Sequence, residues 1–418
     1  VSIPHQRDLL LINSAAFLRS VGTGLMGVVL GVYLSRSGFS SFEIGLVLAA
    51  GLAGSSVATF AASFRADRFG RRRTLVVLSA LLSVAGIALA FVHRPGLLLP
   101  LVFVGMLNGA GTDRSAVFAI DQAILPGLVT EDRRTWTLSW YNVLLDTGGA
   151  LGALSAVLPE LLRQRFAVNS AIADSTVFLI FAGLGIASAL LYLGLSRSTE
   201  VLAVPEALQP VPVSPKSKRV VARLATLFAL DSFGGGFLTD ALVAYWFFRR
   251  FGMAEHQLGL LFFGVHILNA FSHVGAAWLA KRIGLVNTMV FTHLPSSLLL
   301  IAVPFAASLK IAMTLFLLRE SLVEMDVPAR QSYVAAVVTP QERTYASGIT
   351  NLTRNVFWAV GSGVAGLFMQ EVAFSAPLVI GGGVKIAYDL LLYRGFRPQK
   401  STQEAPPPQV NEHRSVVP

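Results

Sequence analysis

SFRADRFGRRRTL, residues 63–75, gathers Arg65, Arg68, Arg71, Arg72 and Arg73 around one acid, Asp67, between two long apolar stretches. What the turn means depends on what those stretches are. Hydrophobic residues make up 54% of the 418 and charged residues only 13%, against about a quarter charged in a soluble domain. The apolar residues run in blocks of roughly 20–28, the length that crosses a bilayer core of ~30 Å at 1.5 Å per residue. The five arginines then sit in a short loop between two membrane helices and anchor that turn on one side of the membrane.

Twelve such spans are predicted, at 9–35, 41–64, 74–93, 96–124, 135–159 and 172–196, then 219–248, 255–279, 286–308, 311–338, 345–369 and 372–393. Between the sixth and seventh lies SRSTEVLAVPEALQPVPVSPKSKR, residues 196–219, with Pro205, Pro210, Pro212 and Pro215. It reads as an exposed linker. The organisation expected is an N-terminal six-helix bundle (1–196), a cytoplasmic linker (197–218), a C-terminal six-helix bundle (219–396) and a disordered cytoplasmic tail (397–418). The first apolar block is too long for a cleavable signal peptide and lacks a cleavage site. An initiator Met, at least, is expected ahead of Val1.

A net charge of +10 would suit nucleic acid in a soluble chain. In a membrane protein its distribution matters more. With a cytoplasmic N-terminus, twenty Lys and Arg fall in inner loops and tails and seven in outer loops. Both termini are therefore expected in the cytoplasm, in a bacterial inner membrane, with lipid and no nucleic acid as partner. The absence of cysteine excludes disulfides and thiolate metal sites.

The two halves repeat each other. RSVGTG from Arg19 matches DSFGGG from Asp231, and TEDRRTWTLSWYN from Thr130 matches TPQERTYASGITN from Thr339. That register sets Asp121 against Arg330 and Gly152 against Gly361. Both copies run the same way through the membrane, one of the known transporter designs.

From here the chain resembles the major facilitator superfamily, over about 385 residues. That family's loop between spans 2 and 3 has the pattern G-x-L-A-D-R-x-G-R-R/K-x-x-L. Here Asp67, Arg68, Gly70, Arg71 and Arg72 keep its centre, while Ser63 and Arg65 depart from it. In the second-half copy, LAKRIG from Leu279, Lys281 replaces the acid while Gly284 survives. The resemblance implies an all-α polytopic fold of twelve transmembrane helices in two pseudo-symmetric bundles. It also implies that Asp67, with Arg68, Gly70, Arg71 and Arg72, latches the loop to the other half near the N-terminal end of span 11. Drug-efflux members are the nearest in character. Asn108 stands where their Gln does, Gly105 where their Arg does, and DTGGALGAL from Asp146 lacks their proline.

Ionisable groups within the membrane cost several kcal/mol unless paired or wetted. This chain has Arg19 in span 1; Asp113, Arg114 and Asp121 in span 4; Asp146 in span 5; Asp231 and Asp240 in span 7. Span 10 holds Arg319, Glu320, Glu324, Asp326 and Arg330, and spans 11 and 12 hold Arg354 and Lys385. Most lie on spans 1, 4, 7 and 10, which line the central cavity of the resembled fold. Glu320 and Glu324, four apart, are expected to share a helix face. Asp326 and Arg330 are also four apart and suited to neutralise each other, with Pro328 loosening the helix between them. Arg19/Asp231 and Asp121/Arg330 hold opposite charges at repeat-equivalent positions. They are read either as pairs joined across the two halves or as charges neutralised within one half, with Asp121 and Arg330 as an inner gate. His266 and His273, with Asn269 between them, form a proton relay or a polar packing seam.

The pathway for substrate and protons is therefore assigned to Arg19, Asp113, Arg114, Asp231, Asp240, Arg319, Glu320, Glu324 and Asp326. No P-loop, H-E-x-x-H or Ser/His/Asp arrangement is present. No enzyme activity, cofactor or metal is expected, and the protein is expected to be a monomer. The functions expected are proton-coupled efflux of a small organic solute by alternating access, uptake of a small anionic metabolite, or a sensor on a transporter scaffold.

Overall fold

In hydrocarbon every backbone N–H and C=O must bond within its own segment, which leaves a single-chain apolar span the helix. In the computed structural model, which describes residues 3–92, 95–130, 133–200, 213–339 and 342–396, the regular elements are helical. The first half comprises α1 (Ile3–Arg36), α2 (Ser41–Phe69), α3 (Arg71–Phe91), α4 (Pro95–Val104), α5 (Ala116–Ile124), α6 (Arg134–Leu154), α7 (Leu158–Arg165) and α8 (Ser170–Leu193). The second comprises α9 (Pro215–Gly236), α10 (Asp240–Phe251), α11 (Glu255–Ile283), α12 (Leu285–Ala302), α13 (Leu309–Val323), α14 (Asp326–Ala336), α15 (Arg343–Glu371) and α16 (Ala376–Phe396). They form twelve spans: α4 with α5, α6 with α7, α9 with α10 and α13 with α14 each share one.

Three spans expected to be continuous are divided. Span 4 unwinds over 105–115, where Met106 (φ 53°) and Gly111 (φ 78°) take left-handed backbone. Asn108 closes the turn, donating from Nδ2 to the Thr112 carbonyl at 2.5 Å and accepting from the Ala110 N–H at 2.8 Å. Ser115 then caps α5. Span 7 breaks after Gly234, Gly235 and Gly236, each of which disfavours helix by about 1 kcal/mol, and restarts at Asp240. Span 10 breaks at Glu324 and Met325 because Pro328 has no N–H for the Glu324 carbonyl, and its ring crowds that carbonyl. Among the described residues nine helical stretches are long and apolar enough to cross a bilayer. The divided spans 4 and 10 are outside that number, as is α15, whose first half carries Thr350, Asn351, Thr353, Arg354 and Asn355.

The repeat is visible in the backbone. A Cβ on Gly152 would stand 2.0 Å from the Val21 carbonyl, and one on Gly361 would stand 2.2 Å from that of Phe233, the repeat-equivalent residue. Gly24 meets the Gly149 carbonyl in the same way that Gly236 meets Trp358. Small residues of this kind let membrane helices cross closely, here α1 on α6 and α9 on α15.

An even number of spans puts the start of α1 and the end of α16 on one face, here called the terminal face. On the opposite face one apolar cluster joins both halves, running from Leu25–Phe39 and Ile44–Leu48 to Phe237–Phe247 and Leu258–Val265. Gly45 packs on Gly366, and Ser41 Oγ bonds Tyr245 Oη at 2.9 Å. Glu255, buried at the start of α11, is bonded by both Arg36 and Arg163 of the other half, and His256 Nδ1 lies 3.0 Å from Glu160. Toward the terminal face the core separates into one cluster in each half, around Ile12, Leu75 and Tyr141 and around Val221, Tyr333 and Tyr388. The halves are thus joined at the far face and each is packed on itself at the terminal face.

Candidate functional site

Each half contains a buried ion cluster. In the first, Arg19 of α1 donates from Nε to Asp113 at 2.6 Å and from Nη2 to Asp121 at 2.9 Å. It also donates to Tyr192 at 2.7 Å and Tyr141 at 3.1 Å, and both phenols donate to Asp121. Ser115 N–H holds the second Asp113 oxygen at 2.9 Å.

In the second half, Lys385 of α16 donates to Asp231 at 2.8 Å, and Arg330 bonds Asp231 at 3.4 Å and Asp326 at 2.6 Å. Behind them His293 Nδ1 lies 3.0 Å from Asp389 while its Nε2 lies 3.3 Å from Lys385 Nζ. This arrangement fits a ring with its proton on Nδ1 and an accepting Nε2. Arg354 stands one step off, with Nε donating to Ser232 at 3.2 Å and Nη2 3.9 Å from Asp231.

The two clusters settle how the repeat-equivalent charges pair. Arg19 and Asp231 do not meet, nor do Asp121 and Arg330. Arg19 pairs with Asp121 in one half, and Asp231 with Arg330 in the other. The same two positions face each other in both copies, with the signs exchanged. Spans 1 and 4 are neighbours inside a half, so pairing there requires no contact between halves. The i,i+4 pairing of Asp326 with Arg330 is formed as expected.

A third set of charges lies between the halves. Asp240 starts α10, whose next N–H, from Ala241, donates to the Gly109 carbonyl of the unwound span 4 at 3.0 Å. His266 Nε2 lies 3.7 Å from Asp240, and His273 Nε2 lies 3.9 Å from Asp146 of the opposite half. Glu320 is buried and bonded to its neighbour Arg319. Glu324 follows as the C-cap of α13, still in helical backbone, within electrostatic range of Glu320. There it comes within electrostatic range of Asp146, Asp240, His266 and Arg114. Arg114 stacks across the interface on Trp358 of α15, its Cζ 3.3 Å from the ring centroid.

The SFRADRFGRRRTL turn lies on the terminal face. Gly70 (φ 102°) joins α2 to α3 in a conformation that favours glycine, and Gly284 (φ 85°) does the same between α11 and α12. Asp67 is exposed and takes Arg71 Nε at 2.8 Å. Arg68 is exposed. Glu200, which the sequence reading did not single out, caps α3 by accepting from the N–H groups of Arg71 at 2.6 Å and Arg72 at 3.2 Å. Arg72 reaches the Leu195 carbonyl at 3.2 Å. The contacts described for this turn stay within its own half and the start of the linker, at Glu200.

Several participants were not legible as such. Tyr141 and Tyr192 drew no notice within their apolar runs, and His293 and Asp389 carried no motif. Asp146, Lys385 and Arg354 were visible only as intramembrane charges. The histidine pair was seen, without its carboxylate partners. Among the described residues no group of His, Asp and Glu has the arrangement of a metal site.

Comparison with known proteins gives these clusters a context. The sequence profile of the Major Facilitator Superfamily matches residues 12–319 and 224–418. The yeast (Saccharomyces cerevisiae) protein described as uncharacterized membrane protein YJR124C is 25% identical over 92% of this chain and 93% of its own. A bacterial homolog of the human lysosomal transporter Spinster, inward-facing and occupied, superposes with a TM-score of 0.76 at 15% identity, covering 98% of this chain and 100% of that one. A mutant form of the nucleoside transporter NupG gives 0.73 at 13%, covering 93% and 99%. The D-xylose-proton symporter gives 0.71 at 15%, covering 93% and 97%. With its two six-span halves and polar seam, the chain belongs to the Major Facilitator Superfamily: it is an integral, multi-pass membrane transporter of small solutes and not an enzyme.

Proposed function

We propose that this transporter couples a small organic solute to protons and exports the solute from the cytoplasm. The observation that carries the coupling is the seam of Asp146, Asp240, Glu320 and Glu324 with His266 and His273, which lies where the two halves must part. Chains of intramembrane carboxylate and histidine side chains mark proton relays, and access to either face decides when a proton leaves. A fold neighbour is a proton symporter, which is consistent with coupling and says nothing of direction. Export rests on the resemblance to efflux members.

In this reading the halves 1–196 and 219–396 rock as bodies about the central site, joined by the linker 197–218. Residues 201–212 of that linker and the tail 397–418 lie outside the described residues. The excess of Lys and Arg on the terminal face supports cytoplasmic termini, so the molecule is in its inward-open state. The Asp67 latch then belongs to the opposite state, which accounts for its exposure here. The yeast relative means the reading needs only a membrane facing cytoplasm, not the bacterial inner membrane that composition suggested. One observation favours a second reading, uptake of an anionic metabolite by symport: Arg114 makes no hydrogen bond or ion pair among the described residues.

The test is solute-driven proton movement in proteoliposomes of both orientations, with a protonophore as control. Export by antiport predicts alkalinisation of the compartment into which solute moves. Co-acidification of that compartment selects symport, and no gradient-dependent flux removes proton coupling. Glu320→Gln and Glu324→Gln are each expected to uncouple flux from protons while the protein still inserts.

A further inference from the structure

Six cationic side chains lie within the spans near the centre: Arg19, Arg114, Arg319, Arg330, Arg354 and Lys385. Four have a carboxylate within 3.4 Å: Arg19, Arg319, Arg330 and Lys385. Arg354 is 3.9 Å from an Asp231 that Lys385 and Arg330 already hold more closely. Arg114 makes no hydrogen bond or ion pair among the described residues, and its Nε is fully buried and donates to nothing.

Arg114 is fixed instead by stacking. Its guanidinium lies on the Trp358 ring, whose Nε1 edge fills the space left by Gly235. Trp358 is four residues from Arg354 on α15, so the two share a helix face. The stack therefore brings together two guanidinium groups, one from each half, with an indole beside them. A guanidinium offers five donors in a planar fork suited to carboxylate, sulfonate or phosphate. A cation–π contact recovers only part of the hydration lost on burial. Idle donors at the moving interface mark a place for a ligand.

We infer that Arg114 and Arg354 together bind the anionic group of the transported solute, with the planar part of that solute lying along Trp358. This rests on the reading of the central seam as the transport site, and it assigns the substrate class: an organic anion with a flat ring or conjugated body. Glu324, Asp231 and Arg330 are the other charges facing the pair. The acids serve the proton and the two arginines the solute. Because one arginine comes from each half, the ligand bridges the surfaces that separate on rocking.

The test uses purified full-length protein and equilibrium dialysis of radiolabelled probes sharing one ring. Benzoate, benzenesulfonate and phenyl phosphate are the anions, benzyl alcohol the neutral member and benzylammonium the cation. At least one anion is expected to bind more tightly than the alcohol by roughly tenfold or more, the gain of a charge-assisted contact. Arg114→Gln and Arg354→Gln should each remove that anion-to-alcohol ratio. Arg114→Lys, which keeps the charge but not the fork, should restore only part of it. Quenching of Trp358 fluorescence, read against Trp358→Phe, should follow the anion alone. The inference is overturned if no anion binds saturably, if benzylammonium binds best, or if the ratio survives in both glutamine variants. A variant that fails to fold is replaced by Arg114→Lys, whose ratio decides alone. Loss of anion binding with intact proton-coupled flux of another solute sinks this inference and spares the coupling. Anion binding with flux insensitive to the proton gradient does the reverse.

Discussion

Arg19 is satisfied by four oxygens from three other parts of its half, and none of them is near it in sequence. Truncating one side of a buried pair costs ~3–5 kcal/mol because the other charge is stranded. Arg19→Leu strands Asp113 and Asp121, so its unfolding temperature in detergent should fall well below that of the parent. The second half shows that the same positions accept the opposite order. The exchange Arg19→Asp with Asp121→Arg should therefore recover part of the loss, and a double variant no better than the singles would contradict this. Glu342 permits a pH prediction. Hydrogen bonds from Ser217 Oγ (2.6 Å), the Ser214 N–H (2.8 Å) and Thr339 hold its carboxyl down from 4.5 to about 2. A lowered folded-state pKa adds stability above the unfolded value, and that stability is lost as pH falls through the folded one. The melting gap between the parent and Glu342→Gln should be open at pH 6 and close as pH falls from about 4.5 toward 2. At this scale the sequence exposed which charges are intramembrane but, apart from the i,i+4 pair Asp326–Arg330, not their partners, because side-chain distance is set by which spans are neighbours. Tyr141 and Tyr192 were hidden for a further reason: a phenol in an apolar run looks the same whether its hydroxyl meets an acid or a headgroup.

Helices were legible wherever the apolar run was unbroken, since length alone identifies them in a bilayer. The divided spans were harder. GMLNGAG showed its glycines, but whether glycine marks a close crossing or a break depends on the neighbour. Gly24 and Gly152 sit in intact helix at crossings, and Gly111 sits in unwound chain. Gly152→Ala and Gly361→Ala place a methyl group against a backbone carbonyl of the crossing helix. Each should destabilise its half by ~1–3 kcal/mol, as overpacking does. Gly183→Ala meets nothing within 4 Å and should be neutral or slightly stabilising by helix propensity. Thermal unfolding of the three variants side by side checks the contrast.

The whole molecule is held on one face only. Beside the apolar cluster, Glu255 is held by both Arg36 and Arg163, the latter also bonding Asp174 of its own half, above a pocket of about 320 Å³ that Glu255 lines with the two arginines and Glu160. Glu255→Gln removes the charge that draws the halves together and should favour the far-open state. The chain contains no native cysteine, so Ala49→Cys, placed against Gly363 of the other half, reports this without background. Its alkylation from the far face should accelerate in Glu255→Gln, and an unchanged rate would place the closure in the apolar cluster alone. The two halves and their repeat are legible in the sequence alone, because duplication leaves a register there. Which face is closed could not, since both states are made of the same residues.

The exchanged charges of the two ion clusters have an electrostatic consequence. An axis along the membrane normal relates the halves. Were Arg19–Asp121 and Asp231–Arg330 identical in sign, rotation would oppose their in-plane dipoles and add the components along the normal. With the signs exchanged, the in-plane dipoles add and the axial ones cancel. The pairs therefore impose a transverse field on the cleft with no net voltage step along the path. By themselves these two pairs turn a dipolar cargo across the cleft and add no push toward either face.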